Sequence, residues 1–285
     1  MSMAPLIPTQ DEFLAAPLET VAAVAPRSIV YAPGGTRRSA MFAGVEPWSA
    51  EYVRLGYEGI TKCIDLIFRH GVKHVFTPAI MAGHAREVGA IEQELFKTMS
   101  SFFADPRLLA LVRGYGWRMR IAPSAYADVL GPVTESLERD TVSDGKHTWW
   151  LTVTPSIDSW WSTFIKVAKS EEVHSRAEAI VALYGEDVPP ITLCLAFGKP
   201  MVAPDLFPPL LMESVQCYWS QQAGYSLTEQ QFRRILYDYA FLRQTWQKDK
   251  SERARAAMAH QETWEREMIV GLGKRLGPFW YPDFL

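Results

Sequence analysis

Between Ser28 and Thr77 a short apolar run, a Pro-Gly-Gly turn, a long amphipathic stretch and a second apolar run succeed one another, and this order limits the fold more than any other feature of the chain. Ser28-Ile29-Val30-Tyr31 is too short for a helix and rich in strand formers. It stops at Ala32-Pro33-Gly34-Gly35-Thr36, which reads as a turn. From about Ser49 to His70 the residues Tyr52, Leu55, Tyr57, Ile60, Ile64 and Ile67 recur broadly at helical spacing, and Gly71 stands where a helix cap is expected. Val72 to Thr77 supplies the next strand. A strand, a crossover helix and a strand make a βαβ unit with parallel strands. Further strands are expected at Trp117 to Ala122, His147 to Thr154, Ile191 to Phe197 and Ser214 to Trp219, with helices between them. The chain therefore reads as α/β, a mainly parallel central sheet flanked by helices.

With 285 residues, 48% of them hydrophobic, and no Pro/Gly/Ser-rich linker or charge block, a single domain is expected over residues 1–285. It carries residues 1–25 as an N-terminal extension and 248–285 as a C-terminal helical segment. Ser226 and Glu229 have the spacing of a capping box for a helix whose apolar face is Phe232, Ile235, Leu236 and Tyr239. Lys248 to Glu267, rich in charge and alanine, reads as a solvated helix. The formal net charge is −3 and the cations are interspersed with anions, which argues against nucleic acid as a partner. Cys63, Cys194 and Cys217 lie far apart in apolar surroundings, as expected of free thiols in a reducing cytoplasm. The first 25 residues lack the pattern of a signal peptide, and no stretch is apolar and long enough to span a bilayer. Aromatic side chains make up 12% of the chain, several in doublets such as Trp149-Trp150 and Trp160-Trp161. They serve either ordinary packing or a pocket for a large apolar ligand or a carbocation.

The segment richest in chemistry is Pro33-Gly34-Gly35-Thr36-Arg37-Arg38, because it lies just beyond the carboxyl end of the first strand, where open α/β sheets bind ligands. Gly34 and Gly35 let backbone N–H groups approach an anion, Thr36 adds a hydroxyl, and the Arg37 and Arg38 guanidiniums can clamp phosphate oxygens. That suits a diphosphate; the plainer reading is a turn with solvated arginines. The segment matches neither a P-loop nor Gly-x-Gly-x-x-Gly. Gly-x-Ser-x-Gly, His-Glu-x-x-His and Asp-Asp-x-x-Asp are absent, and the six histidines are not at metal spacing. A diphosphate would thus be held mainly by arginines and backbone.

These residues give the chain a resemblance to the cis-prenyltransferase (undecaprenyl diphosphate synthase-like) superfamily, and more closely to its tuberculosinol/isotuberculosinol synthase branch, also called tuberculosinyl adenosine transferase. The resemblance covers most of the chain. It rests on Gly35-Thr36-Arg37-Arg38, on Leu66-Ile67-Phe68-Arg69-His70-Gly71, and on Leu183-Tyr184-Gly185-Glu186 ahead of Phe197-Gly198. Its most specific piece is Arg233-Arg234-Ile235-Leu236-Tyr237-Asp238-Tyr239 with Leu242-Arg243. It implies a cis-prenyltransferase-like fold, a homodimer, a diphosphate role for Arg37 and Arg38, and a place beside the substrate cation for Tyr52. In elongating members an Asp that serves magnesium stands where Gly34 stands here, and an aromatic where Ser39 stands. The resemblance thus implies Mg2+ as the family's cofactor, while Gly34 counts against it and leaves the metal ligands unassigned. Glu46 is a candidate substitute carboxylate or a solvated loop acid. Elongating enzymes also hold isopentenyl diphosphate with an Arg- and Ser-rich segment. Here Phe197-Gly198-Lys199-Pro200-Met201-Val202-Ala203-Pro204 matches it without those arginines and serines, so chain elongation is not expected.

By resemblance, the expected activity is that of a noncanonical class I terpene synthase. An isoprenoid diphosphate, first a diterpenyl one of bicyclic labdane type, would become a terpene hydrocarbon or alcohol with loss of diphosphate. Transfer of the terpenyl group to a non-isoprenoid acceptor is one alternative. A noncatalytic cis-prenyltransferase-like subunit is the other; Gly34 keeps it open and the retained arginine pair opposes it.

Overall fold

The structure is a computed structural model that describes residues 7–47, 49–82, 102–124, 127–156, 158–170, 172–245, 251–266 and 268–283. Strands β1 (Ser28–Ala32), β2 (His74–Met81), β4 (Thr148–Thr154) and β5 (Ile191–Phe197) are buried along almost their whole length. Strands apolar on both faces must be covered on both, the situation of a central parallel sheet. With β3 (Arg118–Ile121) and β6 (Met212–Ser220) they form a six-stranded sheet in the order β3-β4-β2-β1-β5-β6, every pair parallel. The α/β class with a mainly parallel sheet is therefore as expected.

Successive side chains of each strand go to opposite faces, so Ile29, Tyr31, Val75 and Trp149 join one core while Val30, Phe76, Trp150 and Cys194 join the other. The Trp149-Trp150 doublet is thus shared between the two cores, as packing. The first core lies beneath α4 (Ala50–Arg69), which follows α1 (Gln10–Ala15), α2 (Leu18–Val24) and α3 (Thr36–Phe42), and beneath α5 (Pro106–Gly114) and α6 (Ala127–Asp140). The second is covered by α7 (Asp158–Ser170) and α8 (Arg176–Tyr184). Helix α4 keeps its expected limits. The Ser49 hydroxyl caps it by accepting the Tyr52 N–H at 3.1 Å, and Gly71 leaves it at φ 99°. A Cβ on Gly71 would stand 2.7 Å from the Ala22 carbonyl oxygen, so this glycine also lets α2 lie against the helix end.

The motif most specific to the family proves to be a pin. It runs along α9 (Glu229–Tyr237) into a π-helical turn, Asp238–Leu242. Arg233 donates to the carbonyls of Leu14 (3.1 Å) and Ala16 (2.7 Å), and Tyr237 to that of Pro8 (2.8 Å). The N-terminal helices are thereby fixed to the body, and Phe13 and Val21 enter the first core. Beyond them, the Asp238 carboxylate accepts from Tyr218 at 2.7 Å and pairs with Arg243 at 2.6 Å.

Several expectations need correction. The capping box of α9 is Thr228 with Gln231, not Ser226 with Glu229; Ser226 belongs to a 3-10 turn, Gly224–Ser226, that precedes it. The segment read as a C-terminal helical stretch holds two short exposed helices, α10 (Arg253–Met258) and α11 (Gln261–Glu265), and then a hairpin of β7 (Gly273–Leu276) and β8 (Phe279–Pro282). The Gly277-Pro278 pair between Leu276 and Phe279 is the hairpin signal that the charge-rich residues before it outweighed, and Gly277 makes the turn at φ 57°. Helix α3 was read as a bare turn, because a glycine opens it in place of the Ser, Thr or Asp that usually marks a helix start.

Buried polar groups in the sheet give a pH prediction. His74 accepts the Trp150 indole N–H at 3.2 Å, and burial lowers its pKa from the ordinary 6.5 to about 4. Burial also lowers His70 and His147. Between about pH 6.5 and pH 4 the unfolded chain therefore binds more protons than the native protein. Stability, complete above pH 6.5, is lost through that window as the pH falls. Urea unfolding should give a free energy on the order of 2 kcal/mol lower at pH 4.5 than at pH 7; a flat profile would contradict the assignment.

Candidate active site

The first strand has β2 on one side and β5 on the other, so the chain order reverses at β1 and a crevice opens beyond its carboxyl end. What fills the base of that crevice is backbone. A Cβ on Gly34 would stand 2.5 Å from the Phe197 carbonyl oxygen at the end of β5, and a Cβ on Gly224 2.5 Å from the Pro33 Cα. The Gly224 N–H donates to the Gly34 carbonyl at 2.8 Å. The Gly224 carbonyl in turn accepts from the Tyr31 hydroxyl and, at 3.8 Å, from the Cys63 thiol. The β1 loop is thus sewn to β5 and to the turn after β6, with no room for a side chain at either glycine.

Gly35 then turns the chain into α3. It sits at φ 71°, the left-handed region that glycine adopts without strain, and its carbonyl accepts the Ser39 N–H at 2.9 Å. Thr36, Arg37 and Arg38 become the first turn of that helix. The Thr36 hydroxyl lies 3.1 Å from the Tyr52 hydroxyl at the start of α4. Half-buried Arg38 donates to the Gln221 carbonyl at 3.0 Å, and the Gln221 amide donates to the Gly198 carbonyl at 3.0 Å. Arg37 is exposed on the same turn. The structure therefore brings together Gly34, Gly35, Thr36, Arg38 and Tyr52, with Arg37 beside them. Arg38 is aimed by a carbonyl and forms no ion pair among the described residues, so its charge is left for a ligand anion.

Three residues of this site escaped the sequence reading: Gln221, Gly224 and Tyr225, all in the turn after β6. The available signal was a glycine just past the carboxyl end of a late strand, the position that had singled out Gly34. Asp205 was also missed. It is buried, and its carboxylate accepts the Ala82 N–H beyond β2 at 2.9 Å.

The family's magnesium carboxylate does not fit here. A side chain at position 34 would run into the β5 backbone, and Glu46 lies exposed in the turn before α4. Among the described residues no group of three His, Cys, Asp or Glu side chains could hold a metal. Overpacking of this kind costs about 1 to 3 kcal/mol. Gly34→Ala and Gly34→Asp should both lower the thermal midpoint by several degrees in a dye-binding melt; an unchanged midpoint would show that the loop has room.

No family model matches the chain. It is 42% identical over 278 residues to (+)-kolavelool synthase of Herpetosiphon aurantiacus, a match that covers 97% of this chain and 96% of that one. Tuberculosinyl adenosine transferase of Mycobacterium tuberculosis is 25% identical over 252 residues, 82% of this chain and 83% of the other. Among solved structures, lavandulyl diphosphate synthase from Lavandula x intermedia superposes with a TM-score of 0.58 at 13% identity, over 77% of this chain and 97% of its own. A probable undecaprenyl diphosphate synthase from Campylobacter jejuni gives 0.53 at 14%, over 75% and 95%. Those two likenesses establish the fold alone. The whole-length identity to a terpene synthase carries further, and the chain belongs to the noncanonical terpene synthases of the cis-prenyltransferase-like superfamily.

Proposed function

We propose that the enzyme ionises a bicyclic, labdane-type diterpenyl diphosphate and releases a diterpene alcohol. The observation that carries this reading is the half-buried Arg38, held by Gln221 and without an ion pair among the described residues, beside the Thr36–Tyr52 hydroxyl pair at the β1–β5 switch point. The whole-length likeness to a synthase named for kolavelool supports the substrate class.

The reaction follows from the placement. The allylic C–O bond breaks and its electrons leave with the diphosphate, so negative charge grows on that group as positive charge appears on carbon. Arg38 is already oriented when this happens, and Arg37 stands on the same turn, so stabilisation comes with little reorganisation. Water then adds to the cation and loses a proton, which gives an alcohol. The loop is proposed to hold the diphosphate without a metal carboxylate of its own. The acceptor-transfer alternative keeps one feature in its favour, the 25% identity to an adenosine transferase. The reading as a noncatalytic subunit is set aside by the match to a synthase.

A homodimer and a cytoplasmic location belong to the same proposal. Trp264, Ile269, Val270 and Phe279 are exposed on the C-terminal segment, and a second copy would cover them. Cys63, Cys194 and Cys217 are free thiols, and no helix among the described residues is long and apolar enough to cross a membrane. Light scattering should return twice the 32.2 kDa chain mass; a monomer would refute the dimer.

The test is incubation with C15, C20 and bicyclic C20 diphosphates, with magnesium or EDTA, following diphosphate release and extractable product. Arg37→Ala and Arg38→Ala should each lower kcat/KM about a hundredfold to a thousandfold with the circular dichroism unchanged. Consumption only with an added nucleoside would favour the transferase, and no consumption at all would sink the proposal.

A further inference from the structure

The face of α4 that meets the turn after β6 carries two glycines, Gly56 and Gly59. Glycine in a helix interior costs about 1 kcal/mol relative to alanine, so a pair on one face calls for a reason. The reason here is Tyr225. A Cβ on Gly59 would stand 2.7 Å from the ring of Tyr225 and 2.8 Å from its Cβ, and one on Gly56 3.9 Å from its hydroxyl oxygen. The ring lies in a groove made by the missing side chains, and its hydroxyl points along α4 past Gly56. Tyr52 stands one helical turn before Gly56. Phe102 closes the other side, its ring 3.3 Å from the Gly56 Cβ position and 4.6 Å from the Tyr57 ring centre.

The Tyr225 hydroxyl forms no hydrogen bond among the described residues, although phenols so placed ordinarily find a partner. Burial, and after it the neighbouring Tyr52 and Cys63, hold its pKa above the ordinary range, so it is a neutral hydroxyl at any working pH. Its position relative to the arginine turn is fixed. The preceding residue, Gly224, donates to the Gly34 carbonyl and accepts from Tyr31, and Gln221 of the same turn holds Arg38. One short turn thus holds the Arg38 guanidinium and sets beside Tyr52 a hydroxyl that is unpartnered among the described residues.

We propose that Tyr225 is a positioning residue that, together with Tyr52, holds the water that captures the substrate cation, and so sets the share of alcohol against hydrocarbon in the product. The inference rests on the terpene synthase reading given above. Water bound through its hydrogens to the two phenol oxygens turns a lone pair to the cation. The new C–O bond forms from that pair, and the released proton goes to the departed diphosphate, giving alcohol and hydrogen diphosphate. Without the held water the same cation loses a proton from an adjacent carbon, which gives the hydrocarbon.

The test is Tyr225→Phe, which keeps the ring in its groove. It is assayed with the bicyclic diphosphate in H2 18O, and the alcohol-to-hydrocarbon ratio is read by mass spectrometry. The wild type should give labelled alcohol. The ratio should fall about threefold to tenfold in Tyr225→Phe, the factor one hydrogen bond is worth, with the thermal midpoint unaltered. Tyr52→Phe should move it the same way, and the double variant no further than the larger single effect, because both remove the same water. An unchanged ratio in Tyr225→Phe, additive effects in the double variant, or unlabelled alcohol would overturn the inference while the synthase reading stands. A wild type that leaves the bicyclic diphosphate untouched would overturn that reading and this one together.

Discussion

Close contact between backbones at Gly34 is the constraint on which the site depends. The β1 loop is pressed against the carbonyl of Phe197 and bonded to the N–H of Gly224, so three strand ends, β1, β5 and β6, meet with no side chain between them. From this knot the chain can leave only through Gly35 in its left-handed conformation, and that turn presents Thr36, Arg37 and Arg38. The same knot brings Gln221 under Arg38 and Tyr225 under Tyr52. Removing a carboxylate at position 34 and tightening the loop are therefore one structural event. The diphosphate site proposed above would accordingly rest on arginines, a hydroxyl and well-bonded backbone.

Much of the fold was legible because its signals are local. Two-sided burial makes β1 and β5 nearly continuous apolar runs and β4 a run of tryptophan, leucine, valine and threonine, and Ser49 and Gly71 mark the ends of α4 on the residues where the structure has them. The site was legible only in its first half. Arg37, Arg38, Thr36 and Tyr52 lie near one another in sequence, whereas Gln221, Gly224 and Tyr225 arrive from the far side of the sheet, and no local pattern announces which late turn will land on the β1 loop. The capping box was misplaced by two residues because Ser226 and Thr228 are both plausible caps, and only the 3-10 turn at Gly224–Ser226 decides between them. The hairpin of β7 and β8 was hidden by the charged, alanine-rich stretch before it.

The family-specific run from Arg233 to Tyr239 shows that sequence specificity and chemistry need not coincide. Arg233 is almost buried and serves the Leu14 and Ala16 carbonyls, and Tyr237 serves that of Pro8. Asp238 and Tyr239 tie the following turn to Tyr218 of the edge strand β6 and to Thr192 of β5. The run satisfies several backbone and side-chain partners at once.

That pin also bears on how the molecule is made. Leu14 and Arg233 are 219 residues apart, so α1 and α2 are synthesised long before the helix that supplies their docking surface. Phe13 and Val21 stay exposed to solvent or to chaperones while the sheet assembles. With β1 likewise waiting for β5, the native contacts span long stretches of chain, which marks a slow-folding topology. Residues 8–16 then act as a closing latch, engaged only once α9 exists.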